Sequence, residues 1–194
     1  MDLAPLVFSS GWASGVNSYA TVLVLGLFAR FSDTTAVPDV LGRTDVLLVG
    51  GIMFAIEFVA DKIPYVDSGW DAVSTFIRPV VGAALGAVLA GDATGINQAL
   101  LAALGGSTAL ASHGVKSGLR LAVNTSPEPV TNSVVSVAED LSVVGVLALA
   151  MAHPWLALGV SATLLIVGVI LVIWLLGKVR RGLAAMRRRR SRTP

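Results

Sequence analysis

Six stretches of the chain are apolar enough to be read as membrane helices, and its polar residues fall in short clusters between and at the ends of them. A membrane helix needs about 20 mostly apolar residues to cross a hydrocarbon core about 30 Å thick. The clearest stretch is "WLALGVSATLLIVGVILVIWLLG", Trp155 to Gly177, uncharged throughout. Trp155 and Trp174 lie near its ends, where amphipathic rings favour the membrane–water interface. Upstream the pattern predicts five more segments: Trp12 to Phe31, Val46 to Ala60, Ala72 to Ala90, Ile96 to Ser112 and Val134 to Ala152. The segments at 46–60 and 96–112 are short for a full crossing, so one or two of the six are candidates for tilted, broken or re-entrant helices. The expected fold is all-α: one polytopic membrane bundle over residues 1–177 and a basic tail over 178–194.

Composition supports this class. The chain is 55% hydrophobic and 13% charged with a mean hydropathy of +0.80, whereas soluble domains carry roughly 25% charged residues. Eight of the 14 Lys and Arg lie in the last 17 residues, leaving 6 bases against 12 acids in the body. The basic balance therefore belongs to a tail abutting a membrane span, and no nucleic-acid partner is expected. By the positive-inside rule this tail is cytoplasmic, where it attracts anionic lipid headgroups at about 1 kcal/mol per basic residue. An even count of crossings puts both termini in the cytoplasm, with residues 61–71 and 113–133. The loop "SDTTAVPDVLGRTD" and the turn at Gly91 to Gly95 then lie outside, with Arg30 and Arg43 as exceptions to the charge bias. The N-terminus opens with an acid and lacks the basic region of a cleaved signal peptide. Absence of cysteine excludes disulfides and thiolate chemistry.

Charge inside apolar sequence carries the functional signal, because each such group costs roughly 2.5–3.5 kcal/mol on insertion scales unless it is paired or wet. Glu57 and Asp61 share a helix face, as do Asp71, Thr75 and Arg78. His113, Lys116 and Arg120 form a basic stripe, Asn124 follows it, and Glu139 and Asp140 open the next segment. Converging, these groups would line a polar vestibule toward the cytoplasm. Glu57, Asp61, Asp71, Glu139 and Asp140 are the expected proton or cation sites. Arg78, His113, Lys116, Arg120 and Asn124 are the expected ligands of an anionic group, since Arg and Lys supply the donors that such groups need. The plainer alternatives are a solvated loop for Lys62 and Asp67, and a structural pair of Arg78 with a carboxylate.

Pro79, directly after Arg78, and the pair in "SPEP" sit where polar residues cluster, the position expected of a broken helix beside a cavity. Rows of small residues, "GAALGAVLAG" and "ALGGSTALASHG", permit close helix packing. Two internal matches are visible. A slide of 63 aligns "DKIP" with "NTSP" and the two "VVG" triplets, whereas a rival slide aligns "GVNS" at 15–18 with "GVKS" at 114–117.

With only His113 and His153 and no cysteine, no histidine-rich metal motif is present, and neither a nucleophile elbow nor a phosphate-cradling loop occurs. A carboxylate-only enzyme built on Glu139 with Asp140, or Asp67 with Asp71, is the minority reading. The expectation is a protein that is not an enzyme and holds no cofactor or metal.

The blocks "EFVADKIPYVDSGWDAVSTFIRP", "HGVKSGLRLAVNTSPEP" and "VVSVAEDLSVVGVLAL", preceded by "GVNSYATVLVLGLFAR", resemble the signature blocks of a bacterial membrane family known as domain of unknown function 4126. The resemblance covers most of residues 11–152. It implies a multi-span inner-membrane protein and brings no established activity. A Glu-bearing apolar segment with a Pro break is also similar, as distant architectural analogy, to the re-entrant hairpins of DedA-like lipid-carrier flippases. The favoured expectation is a small transporter, flippase or scramblase for a small or lipid-linked anionic substrate, proton-coupled at the acidic positions. The alternative is a non-transporting accessory or assembly subunit with a structural ion-pair cluster. Membrane lipids and a second copy of the chain are the expected partners.

Overall fold

The computed structural model describes residues 3–63, 65–91, 93, 95–123 and 129–190, with the side chains at 122, 123, 129, 131, 132, 179, 180 and 182–190 left out. The expected ligand Asn124 and the prolines Pro64 and Pro127 lie outside the described residues. Among those described the chain is all-helical: α1 (Leu3–Val16), α2 (Ser18–Phe31), a 3-10 turn at Asp39–Gly42, α3 (Thr44–Ala60), α4 (Val66–Leu89), α5 (Ile96–Val123), α6 (Pro129–Ala152) and α7 (Pro154–Arg190). Three helical stretches are long and apolar enough to cross a membrane: Val66–Leu89, Ser133–Ala152 and Pro154–Lys178, with mean hydropathies of 1.7, 1.9 and 2.8.

The largest departure from the sequence reading is in the first segment. Trp12 to Phe31 was expected as one span, yet the helix breaks at Asn17, whose backbone is extended at φ −152° and ψ 103°. The reason is local. Asn17 turns its side-chain oxygen to the Ala20 N–H at 2.9 Å, an N-cap that starts a new helix. The Ser18 hydroxyl donates back to Ser14 O at 2.8 Å, and the Thr21 hydroxyl donates to Asn17 O at 2.8 Å. Two helices of 14 residues replace the one.

Residue pairs give the directions. Ser9 meets Ser161, Trp12 O accepts from Ser112, and Val16 O accepts from Lys116, so α1 runs parallel to α5 and α7. Gly50 lies against Leu23 and Gly26 against Leu47, so α2 runs antiparallel to α3. The start of α1 and the tail of α7 accordingly lie at opposite ends of the bundle. The break at Asn17 adds a reversal that an unbroken first segment lacks.

A second correction concerns Pro79. It sits inside α4, which runs unbroken from Val66 to Leu89. The broken helix is the one carrying Asn17.

Glycines set the packing at the centre, where α1, α4 and α5 meet. A Cβ on Gly105 would stand 2.3 Å from Gly82 O, and one on Gly11 would stand 2.6 Å from Gly105 O. Side chains larger than hydrogen would force these backbones apart. Leu6, Val7, Leu25, Leu85, Val143 and Leu147 fill the apolar half of the core. Large apolar residues on α7 such as Ile166, Ile170 and Ile173 face outward.

One helix end agrees with one of the two internal matches. Shifted by 63 residues, the end of α4 at Leu89 falls on the end of α6 at Ala152. The paired hairpins α3–α4 and α5–α6 are the unit this match implies. The rival match has a different meaning: Lys116 of "GVKS" donates to Val16 O of "GVNS", and Gly15 packs on Ser112 and His113 just before "GVKS".

Candidate functional site

The break at Asn17 is where the charged residues converge. Where α1 stops, its last carbonyls have no helical partner. Arg78 reaches from mid-α4 to donate from Nη1 to Gly15 O at 3.0 Å, and Lys116 reaches from α5 to donate to Val16 O at 3.0 Å. Cations belong at this terminus, where the helix dipole is negative. On the other side of the break the Asn17 amide donates to Asp140 at 2.9 Å.

Each base then gathers carboxylates. Arg78 Nη2 lies 2.5 Å from Glu57 Oε1 and 3.4 Å from Asp71, with the Arg78 and Glu57 side chains both 1% exposed. Lys116 Nζ lies 2.7 Å from Asp61, 3.4 Å from Glu139 and 3.6 Å from Glu57. Arg120 lies 2.7 Å from Glu139, 3.1 Å from Asp61 and 3.5 Å from Asp67, and it also donates to Asp61 O at 2.7 Å. Five carboxylates thus share three bases, and Asp140 joins them through Asn17.

His113 is wired into the same network. Its Nδ1 stands 2.8 Å from Arg78 Nη1, which has only protons to offer, so Nδ1 is the bare acceptor. The ring proton is then on Nε2, 2.9 Å from Thr75 Oγ1 and 3.2 Å from Ser117 Oγ. Thr75 in turn donates to Asp71 O at 2.9 Å. This places His113 as a neutral imidazole that orients Arg78.

Of the sequence-predicted residues, Glu57, Asp61, Asp71, Arg78, His113, Lys116, Arg120, Glu139 and Asp140 all come together. They form a closed cluster and not the open vestibule expected. Lys116 is enclosed by α1 and α5, and Glu139, at 16% exposure, is the most accessible of the paired carboxylates. Asp67, for which a solvated loop was the plainer alternative, is fully buried against Arg120. Lys62 does remain at the edge, donating to Phe58 O, and partial burial pushes its ammonium below the usual lysine range. His153 is exposed between α6 and α7, apart from the cluster. Thr75 shares the face of Asp71 and Arg78 as the spacing predicts, whereas nothing in the spacing singled out Asn17 and Ser117. The signal for Asn17 was the polar run "SGVNSYAT" inside apolar sequence.

Four buried carboxylate oxygens accept no hydrogen bond: Glu57 Oε2, Asp61 Oδ1, Asp71 Oδ1 and Asp140 Oδ2. Among the described residues no group of three or more His, Cys, Asp or Glu is arranged to hold a metal ion. Two cavities adjoin the cluster. One of about 230 Å³ between α4 and α5 touches Asp71, Thr75, Ser117 and Arg120. Another of about 240 Å³, between α1, α5, α6 and α7, touches Trp12, Ser112, Lys116, Glu139 and Ser142 and is otherwise apolar.

Residues 4–175 match the family model "Domain of unknown function (DUF4126)", and the chain belongs to that family. Neither the curated proteins nor the solved structures contain a match to it.

Proposed function

We propose that this chain is a multi-span membrane transporter, not an enzyme, whose buried cluster exchanges protons for a charged solute. One observation carries the reading: six carboxylates gather round Arg78, Lys116 and Arg120 at a helix break, with Lys62 at the edge near Asp140 and Asp61, and three of their buried oxygens, Glu57 Oε2, Asp61 Oδ1 and Asp140 Oδ2, accept no hydrogen bond. An excess of two acids over four bases in a low-dielectric interior is costly. Protons or cations balance it, and a protonated carboxyl also supplies the donor that those oxygens lack.

The break adds to this. In many transporters the solute and the coupling ion bind where a helix is interrupted, at freed carbonyls and helix ends. Here α1 and α2 form a re-entrant hairpin whose tip, Asn17, lies in the cluster. The freed carbonyls Gly15 O and Val16 O are held by Arg78 and Lys116 until a solute takes part. With the basic tail in the cytoplasm of a bacterial inner membrane and bound to anionic lipid, the start of α1 lies outside.

The sign of the solute follows from charge balance. An anion at Arg78, Lys116 or Arg120 must displace a carboxylate that already occupies the base, and it deepens the acid excess. A cation reduces that excess and releases protons. Cation–proton exchange is therefore the favoured form, and the anionic substrate expected from the basic stripe is the less favoured one.

The non-transporting accessory reading is supported by the saturation of all three bases in a closed cluster. The experiment that separates the two is reconstitution in liposomes carrying an internal pH indicator, with small organic cations and anions added outside. Exchange shows as cation-dependent alkalinisation of the lumen, lost in Glu57→Gln and Asp71→Asn and kept in Lys62→Gln. An accessory subunit gives no flux above protein-free liposomes with any of them.

A further inference from the structure

The cavity of about 240 Å³ between α1, α5, α6 and α7 joins an extended apolar wall to members of the cluster. Its walls are Val115 and Leu119 of α5 and Leu164, Val167 and Leu171 of α7. At its polar side stand Glu139, Ser142, Lys116 and Ser112, whose hydroxyl donates to Trp12 O at 2.8 Å, and Trp12 also lines it.

Charge at this polar side is not what the lysine suggests. Lys116 Nζ is turned to Asp61 at 2.7 Å and Val16 O at 3.0 Å, with its side chain 2% exposed, so what it offers the cavity is its apolar stem. Glu139 is different. It keeps Arg120 at 2.7 Å and Lys116 at 3.4 Å yet remains 16% exposed, and a carboxylate has about four lone-pair sites to share. Asp140, next in sequence, is bonded to Asn17 and does not line the cavity. The Ser142 hydroxyl is spent on Glu139 O at 2.6 Å and brings no positive charge.

We propose that this cavity is the solute site, and that its ligand is an amphiphilic cation: an alkylammonium whose head pairs with Glu139 beside Trp12 and whose chain lies along α7. Three features agree on that class. A carboxylate supplies the counter-charge, an indole supplies the ring that attracts quaternary ammonium groups, and the apolar wall excludes a small hydrated ion such as sodium. This inference deepens the transport reading and rests on it only for what the solute is exchanged against.

The test uses the full chain in nanodiscs, with empty nanodiscs as the blank. Hexyltrimethylammonium and hexyl sulfate are compared as probes of opposite charge on the same chain length. The expected result is saturable binding of hexyltrimethylammonium alone, weakened at least about 10-fold in Glu139→Gln. Because Glu139→Gln also touches Arg120, a second variant, Leu164→Trp, fills the cavity from a partly exposed position on α7 and is expected to lose binding as well. Binding unchanged in Leu164→Trp, or preference for hexyl sulfate, overturns the assignment. The two readings fail separately. Cation binding lost in Leu164→Trp with no proton flux in liposomes keeps the site and removes the exchange, whereas flux that survives Leu164→Trp keeps the exchange and removes the site.

Discussion

Arg78 and Glu57 meet at 2.5 Å near the middle of the bundle, each about 1% exposed, and the pair sits inside a cluster that is short of positive charge. The two partners are therefore not equivalent. Arg78→Gln strands Glu57 and Asp71 and lets go of Gly15 O and His113, an expected cost of about 3–5 kcal/mol, the range for breaking a buried pair. Glu57→Gln removes one acid from an excess and is expected to cost less than half as much. Denaturant unfolding of both variants in the same detergent checks the order. Equal costs would mean that the cluster is charge-balanced.

Asn17 both caps α2 and bonds Asp140. Asn17→Ala is expected to cost about 1 kcal/mol through the lost cap. Asp is as good a cap as Asn in ordinary helices, yet Asn17→Asp puts a carboxylate against Asp140 and is expected to cost more than Asn17→Ala. Unfolding midpoints of the two variants show whether the usual ranking is reversed.

Glycines in α5 separate into two kinds. Gly105 faces Gly82 O at 2.3 Å from its notional Cβ, whereas a Cβ on Gly114 meets nothing within 4 Å. Gly105→Ala is expected to destabilise by about 1–3 kcal/mol through overpacking. Gly114→Ala is expected to be neutral or to stabilise by up to about 1 kcal/mol through helix propensity. The same unfolding assay distinguishes them.

Tyr65, in the turn from α3 to α4, is the one non-glycine residue with positive φ among the described residues, at 72°. Its ring is exposed, so the strain is not offset by burial. Tyr65→Gly is expected to stabilise by about 1 kcal/mol and Tyr65→Val to destabilise. A shift of both midpoints in the same direction would contradict this.

Much of the architecture was legible in the chain. Segments 46–60, 96–112 and 134–152 fall within the observed helices, and 72–90 runs one residue past the end of α4, because apolar runs bounded by Gly, Pro and charge leave few alternatives. The spacing of Glu57 with Asp61, and of His113 with Lys116 and Arg120, also gave the faces that converge. Asn17 was not read as a break because its cap is a local hydrogen bond inside an otherwise unbroken apolar stretch. For Asp67 the sequence leaves a solvated loop open, because only tertiary packing brings Arg120 over it. The closure of the cluster and its acid excess depend on side-chain reach across four helices, which spacing along one helix does not contain.

The central claim is that carboxylates of this cluster hold protons at neutral pH and give them up to a cation. Infrared difference spectroscopy of the protein in nanodiscs, before and after adding hexyltrimethylammonium, reads the protonated-carboxyl stretch directly. The account predicts such a band at neutral pH, diminished by the cation and by Asp71→Asn or Glu57→Gln. A spectrum with every buried carboxyl already ionised, and unchanged by the cation, would contradict it.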